Sequence, residues 1–207
     1  MSALFIDVDT QLDFLYPAGA LYVPGAERLV PALARLTQFA AQHGIPVVST
    51  ADAHAENDVE FQSWPKHCVA GATGQHKVEA TLLPRRVTVP NRDGDLLELA
   101  GGLAIEGAQQ IVVEKQTVDA FQTRTFARIV RRLNPGRFVV YGVVTEICVL
   151  HAVRGLLQFG KPLTVVTDAI QPLTAQASRD ALAEMRAAGA ILATAAEVTA
   201  CAISEVR

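Results

Sequence analysis

Short apolar runs alternate along this chain with longer stretches in which apolar positions recur every three or four residues. ALFIDV (3–8) predicts a buried strand, and AERLVPALARLTQFAAQHG (26–44) predicts a helix ended by Gly44. PVVST (46–50), QIVVEK (110–115), RFVVYGVV (137–144), LTVVTDA (163–169) and ILATAA (191–196) predict further strands. Between them, TRTFARIVRRLN (123–134), TEICVLHAVRGLLQFG (145–160) and SRDALAEMRAAGA (178–190) predict helices, and a short helix closes the chain. The first of these three stops at Pro135-Gly136. Val- and Ile-rich strands separated by helices predict an α/β fold, a three-layer α-β-α sandwich around a mostly parallel sheet. Residues 52–100 read as irregular, and 76–100 carry no interpretable motif, which suits part of a lid or an interface. No compositional shift or repeat divides the chain, so one domain is expected over 1–207.

Composition narrows the function classes. With 50% hydrophobic and 19% charged residues, a 207-residue chain has enough apolar surface for a core and is not a disordered tail. A net charge of −3 argues against nucleic acid as a partner, since phosphate contacts need a basic face. No apolar run approaches the roughly 20 residues of a membrane span, and MSALFIDVDTQLDF has no basic leader, so neither membrane nor export is expected. Three cysteines do not make a disulfide framework, which predicts a reducing, cytoplasmic setting.

Ligands of open parallel sheets bind beyond the carboxyl ends of the strands. Those ends carry Asp9, then Asp52 and His54, then Lys115, then Thr145, Glu146 and Cys148. An acid, an amine, a thiol and two metal-capable side chains thus converge on one rim. Cys148 falls in the first turn of an apolar helix, where free N–H groups favour a thiolate or hold an oxyanion; it also fits a small buried hydrophobe. Lys115 fits either a partner for that thiolate or a strand-end lysine reaching water. Asp9 fits a general base or a turn cap. Asp52, His54, Glu60 and His67 form a carboxylate–imidazole set suited to Zn²⁺, Mn²⁺ or Fe²⁺, although their spacing is not that of a zinc finger. Trp64, the only tryptophan, suits a pocket wall or a loop anchor. Cys68 lacks the setting of Cys148, Cys201 reads as helix packing, and His43, His76 and His151 read as structural.

Taken together, these residues resemble the isochorismatase-like cysteine hydrolase superfamily, closest to its nicotinamidase branch. DVDTQLDF (7–14) is similar to the D-x-Q-x-D-F signature, KQTVDAF (115–121) to K-x-x-x-D-A-F, and GVVTEICVLHA (142–152) to G-x-x-T-x-x-C-V. The resemblance implies a catalytic Asp9, Lys115 and Cys148, a cis peptide between Val143 and Val144, and an oxyanion hole from the Val144 and Cys148 N–H groups. Asp52-Ala-His54 and the WPKHC segment ending at Cys68 resemble the branch's metal-ligand motifs, implying Asp52, His54 and His67 as ligands, with Glu60 at a more variable ligand position. Phe14 and Trp64 fall where the resembling enzymes line an aromatic-substrate pocket. VDAFQT lacks a tyrosine that some nicotinamidases carry, and the loop from His54 to His67 is short.

The activity this implies is hydrolysis of a small carboxamide through a thioester to acid and ammonia, with nicotinamide as substrate. A divalent metal and no organic cofactor are expected. The alternatives are a linear carbamoyl, ureido or maleamate-type amide in the same superfamily, or a non-catalytic binding protein. A homo-oligomer is also expected, with apolar helices such as 147–158 as candidate interfaces.

Overall fold

The computed structural model describes residues 2–92, 94 and 105–204. The packing expected of Cys201, and residues 93 and 95–100 of the motif-free segment, lie outside the described residues. Seven strands, β1 (Ala3–Val8), β2 (Val47–Asp52), β3 (Arg86–Val89), β4 (Gln110–Lys115), β5 (Arg137–Val143), β6 (Leu163–Gln171) and β7 (Ile191–Ala193), form one sheet in the order β3-β4-β2-β1-β5-β6-β7. Every neighbouring pair is parallel. The helices are the single turn α1 (Leu12–Leu15), α2 (Val30–Gln42), α3 (Arg124–Leu133), α4 (Leu150–Leu157), α5 (Ala175–Ala187) and α6 (Ala195–Ser204).

Side-chain alternation along the strands sorts the core into two layers. Leu4, Ile6 and Val8 of β1 join Phe126 and Ile129 of α3, Val153 and Leu156 of α4, and Met185 of α5. Ala3 and Phe5 point the other way, to Leu33, Leu36 and Phe39 of α2 and Ala195 of α6. Burying each such Leu or Phe stabilises the fold by about 1.5–3 kcal/mol. Leu150, Ala152, Val153 and Leu156 of α4 are buried in the core of their own chain, and Leu157 is partly buried. Among the described residues, no helix is long and apolar enough to cross a membrane.

The irregular reading of 52–100 needs correction. It contains β3, an edge strand whose RVTV alternates exposed and buried positions, and three short 3₁₀ turns at Val59–Gln62, Thr73–Gln75 and Glu79–Thr81. β2 also runs to Asp52, because it is paired on both sides, with Asp52 opposite Lys115. The chain builds β2, β3 and β4 on one side of β1 and β5, β6 and β7 on the other, so the switch in winding falls between β1 and β5. That is where an open sheet leaves its crevice.

Candidate active site

Asp9 follows β1 with φ 48°, a left-handed conformation that Asp tolerates better than most residues, and this turns the chain out of the sheet. Its Oδ1 accepts a hydrogen bond from Thr50 Oγ1 at 2.6 Å, and its Oδ2 lies 2.9 Å from Lys115 Nζ. The same Nζ contacts Asp52 Oδ1 and stands 3.9 Å from Cys148 Sγ. One ammonium therefore meets two carboxylates and a thiol. All four groups are nearly out of water, at 0% (Asp9), 1% (Lys115), 3% (Asp52) and 9% (Cys148) exposure.

Burial and charge set their protonation. Burial pushes the Asp9 carboxyl above its ordinary value, although Lys115 pulls it down. Burial acts on Asp52 in the same sense, but Lys115 and hydrogen bonding with His54 and His67 outweigh it and hold Asp52 well below the usual carboxylate range. Burial alone would depress Lys115, yet Asp52, Asp9 and Cys148 keep it firmly protonated. The Cys148 thiol is pushed well up by burial, with Lys115 opposing. These directions favour a neutral thiol beside a fixed cation.

Cys148 is not in the first turn of an α-helix, as its sequence suggests. Thr145–Val149 forms a π-helical turn, with the Val149 N–H donating to the Val144 carbonyl at 3.1 Å. Such turns insert one extra residue and recur at functional sites. This one faces Val144, Ile147 and Cys148 into a common cavity. The Val143–Val144 peptide is cis. Just before it, Gly142 has φ 122°, and a Cβ there would lie 2.0 Å from the Val8 carbonyl oxygen, so β5 can approach β1 at this point only as glycine.

Asp52, His54 and His67 bring one donor atom each within 4.8 Å of one another. His67 Nδ1 faces the Pro65 carbonyl at 2.7 Å and His54 Nδ1 lies 3.1 Å from Asp58 Oδ2, leaving the two Nε2 atoms each 3.8 Å from Asp52 Oδ2. Both ring nitrogens of His54 are buried without a hydrogen bond; Nδ1 has the Asp58 carboxylate beside it, which leaves Nε2 as the atom facing Asp52 and fit for a cation. Two imidazoles and a carboxylate suit zinc or a similar borderline metal. Glu60 lines the adjacent cavity but stands outside this compact trio; burial and the Asp52 charge raise its carboxyl.

The cavity spans about 400 Å³ of space between atoms, open solvent at its mouth included. Phe14 and Trp64 line it, with Leu21, Val23, Val118 and Leu173, and Phe14 packs 5.4 Å from the His67 ring. Thus Asp9, Lys115, Cys148, Val144, Phe14, Trp64, Asp52, His54, Glu60 and His67 gather at one end of the sheet. Cys68 is buried behind them with its thiol pushed up by burial, and His43 stacks on Phe39 far from the site.

Three contributors escape sequence reasoning. Gln11 clamps Asp52 by accepting from its N–H at 2.7 Å and donating to its carbonyl at 2.8 Å, and it donates to the Gln75 carbonyl as well. Asp13 accepts from the Cys68 N–H at 2.7 Å and so fixes the residue after His67. Asp58 holds His54. The first two lie in DVDTQLDF, where their polarity beside a buried strand was the available signal.

The profile of the isochorismatase domain matches residues 2–197. The chain belongs to the isochorismatase family. This isochorismatase-family chain is 28% identical over 216 residues to the nicotinamidase of Escherichia coli K12, covering 92% of this chain and 93% of that protein. Its fold is similar to the pyrazinamidase of Pyrococcus horikoshii solved in complex with zinc, with a TM-score of 0.77, 25% identity and coverage of 94% and 99% of the two chains. N-carbamoylsarcosine amidase from Thermoplasma acidophilum shares the fold, with a TM-score of 0.73, 22% identity and coverage of 94% and 97%.

Proposed function

We propose that this isochorismatase-family hydrolase is a cysteine-dependent amidase that converts a neutral aromatic carboxamide, nicotinamide above all, to its acid and ammonia. The observation that carries this reading is the buried Asp9–Lys115–Cys148 cluster opening into a small apolar cavity.

Asp9 takes the Cys148 proton as the sulfur attacks the amide carbon. Its raised affinity for a proton suits it to this task, and Lys115, 3.9 Å from the sulfur, offsets the charge of the developing thiolate. The Val144 N–H, just before the π-helical turn, and the Cys148 N–H, within it, hold the tetrahedral oxyanion. The C–N bond then breaks, Asp9 returns its proton to the amine, and ammonia leaves a thioester. Asp9 next takes a proton from water, the hydroxyl adds to the thioester, and the acid departs as the thiol is restored.

Asp52, His54 and His67 would hold a divalent metal, and Glu60 lines the adjacent cavity. When bound, such an ion supplies a Lewis-acid contact for a ring nitrogen or a water. Phe14 and Trp64 flank a flat ring.

Charge favours a neutral substrate over the linear acids. Among the described residues no Arg or Lys lines the cavity, the ammonium of Lys115 behind it already serves two carboxylates, and Asp52 and Glu60 would repel an anion. A carbamoyl amino acid or a maleamate would bring a carboxylate with no cationic side chain among the described lining residues to pair with.

The test is ammonia release from nicotinamide by the wild type and Cys148→Ala, with zinc and with chelator. Release that needs Cys148 and falls on chelation is expected. Release from linear anionic amides but not nicotinamide would overturn the substrate assignment, and release unaffected by Cys148→Ala would overturn the mechanism.

A further inference from the structure

The segment between the two imidazoles has a role that the reaction above does not use. The two oxygens of Asp58 do different jobs. Oδ2 lies 3.1 Å from His54 Nδ1, while Oδ1 accepts the Glu60 N–H at 2.9 Å and caps the 3₁₀ turn Val59–Gln62. That turn leads into the cavity wall: the Ser63 and Trp64 N–H groups both donate to the Glu60 carbonyl at 3.0 Å. Phe61, within the turn, packs on both imidazoles, 5.3 Å from His54 and 5.8 Å from His67. The Asp58 carboxylate is only 8% exposed, so water does not substitute for it.

We infer that Asp58 is a positioning residue that fixes the metal-binding tautomer of His54 and ties metal occupancy to the wall formed by Glu60 and Trp64. A carboxylate oxygen 3.1 Å from Nδ1, close but off hydrogen-bond geometry, favours the ring proton there by its charge and leaves Nε2 free to bind a metal. Carboxylate partners of this kind typically change metal affinity by about 10–100-fold. Because the same carboxylate caps the turn, ordering His54 on a metal also orders Glu60 and Trp64. This inference rests on the metal-binding reading of Asp52, His54 and His67.

Asp58→Asn separates the two jobs. Asn still caps a helical turn, but its amide can donate to Nδ1, which moves the ring proton to Nε2 and blocks the metal. Asp58→Ser also caps while lacking the reach to His54. Trp64 is the only tryptophan, so intrinsic fluorescence reads the wall directly. Metal-free full-length protein is titrated with zinc against a chromophoric chelator while emission is followed, with thermal unfolding as a check on folding.

Zinc binding that shifts wild-type emission is expected, with affinity about 10–100-fold weaker in both variants and the emission change displaced to the same higher zinc concentration. Wild-type affinity in a folded variant overturns the role of Asp58 while leaving the metal site intact. Zinc binding by the wild type without an emission change overturns the coupling to the wall. No zinc binding by the wild type overturns both this inference and the metal reading beneath it.

Discussion

Lys115→Met removes one positive charge and keeps the apolar stem, stranding two carboxylates in a site sealed from water. Asp9 loses a partner at 2.9 Å, and Asp52 loses the one at its Oδ1. Deleting one member of a buried pair costs about 3–5 kcal/mol, because the remaining charge is left uncompensated. In a chain of this length each kcal/mol moves Tm by about 2–4 °C, so metal-free Lys115→Met should melt roughly 6–20 °C below the wild type. Activity should fall with it, since the thiolate loses its cation. Lys77→Met separates the two effects. Lys77 forms a second buried pair with Asp7 at 3.1 Å, beneath Thr50 and away from the cavity. That variant should lose comparable stability but keep ammonia release per folded molecule. The assays are thermal unfolding by circular dichroism in chelator and ammonia release well below both midpoints. A Lys115→Met midpoint within about 2 °C of the wild type would refute the charge argument, because less than 1 kcal/mol would then be at stake.

Gln11→Ala strands the Asp52 N–H and the Asp52 and Gln75 carbonyls, at about 1–3 kcal/mol for each buried group left unpaired. Chelator competition should show weaker zinc binding, and Gln11→Glu should not rescue it, since a carboxylate has no N–H for those carbonyls. Glu114 offers a pH test: burial holds its carboxyl above the ordinary value while Gln75 donates to it at 3.2 Å. A carboxyl with a raised folded-state pKa favours folding most when protonated, so stability falls as pH rises through the folded-state value. Glu114→Gln should therefore melt above the wild type at pH 7, with the two midpoints converging by about pH 4.

Hydrophobic patterning exposed the frame because the central strands are buried on both faces, which forces continuous apolar runs such as FVVYGVV (138–144). The same runs placed Asp9, Lys115 and Cys148 at strand ends. What stayed hidden depends on tertiary pairing. β3 is an edge strand, half exposed, and its four residues carry too short an alternation to stand out from a loop. β6 runs on to Gln171 through an irregularity in register opposite Val140 and Gly142, which no local pattern encodes. The helix predicted over 26–44 starts with a 3₁₀ turn at Ala26–Leu29, and Pro31 then suits the first turn of α2. The π-helical turn has no compositional mark, since Thr145–Val149 would serve equally in an α-helix. Asp58 was invisible for a related reason. Its value lies in which imidazole nitrogen it meets, a fact of geometry and not of spacing.

The seam between β1 and β5 has a consequence for how the protein is made. Acid, ammonium and imidazoles all lie within the first 115 residues, whereas the thiol follows β5. A ribosome therefore releases Cys148 after Asp9, Asp52, His54, His67 and Lys115 have emerged. Until β5 docks, β1 has an unpaired edge on that side. The docking that closes this edge also brings Cys148 beside Lys115, so the buried cluster is incomplete until β1 and β5 pair.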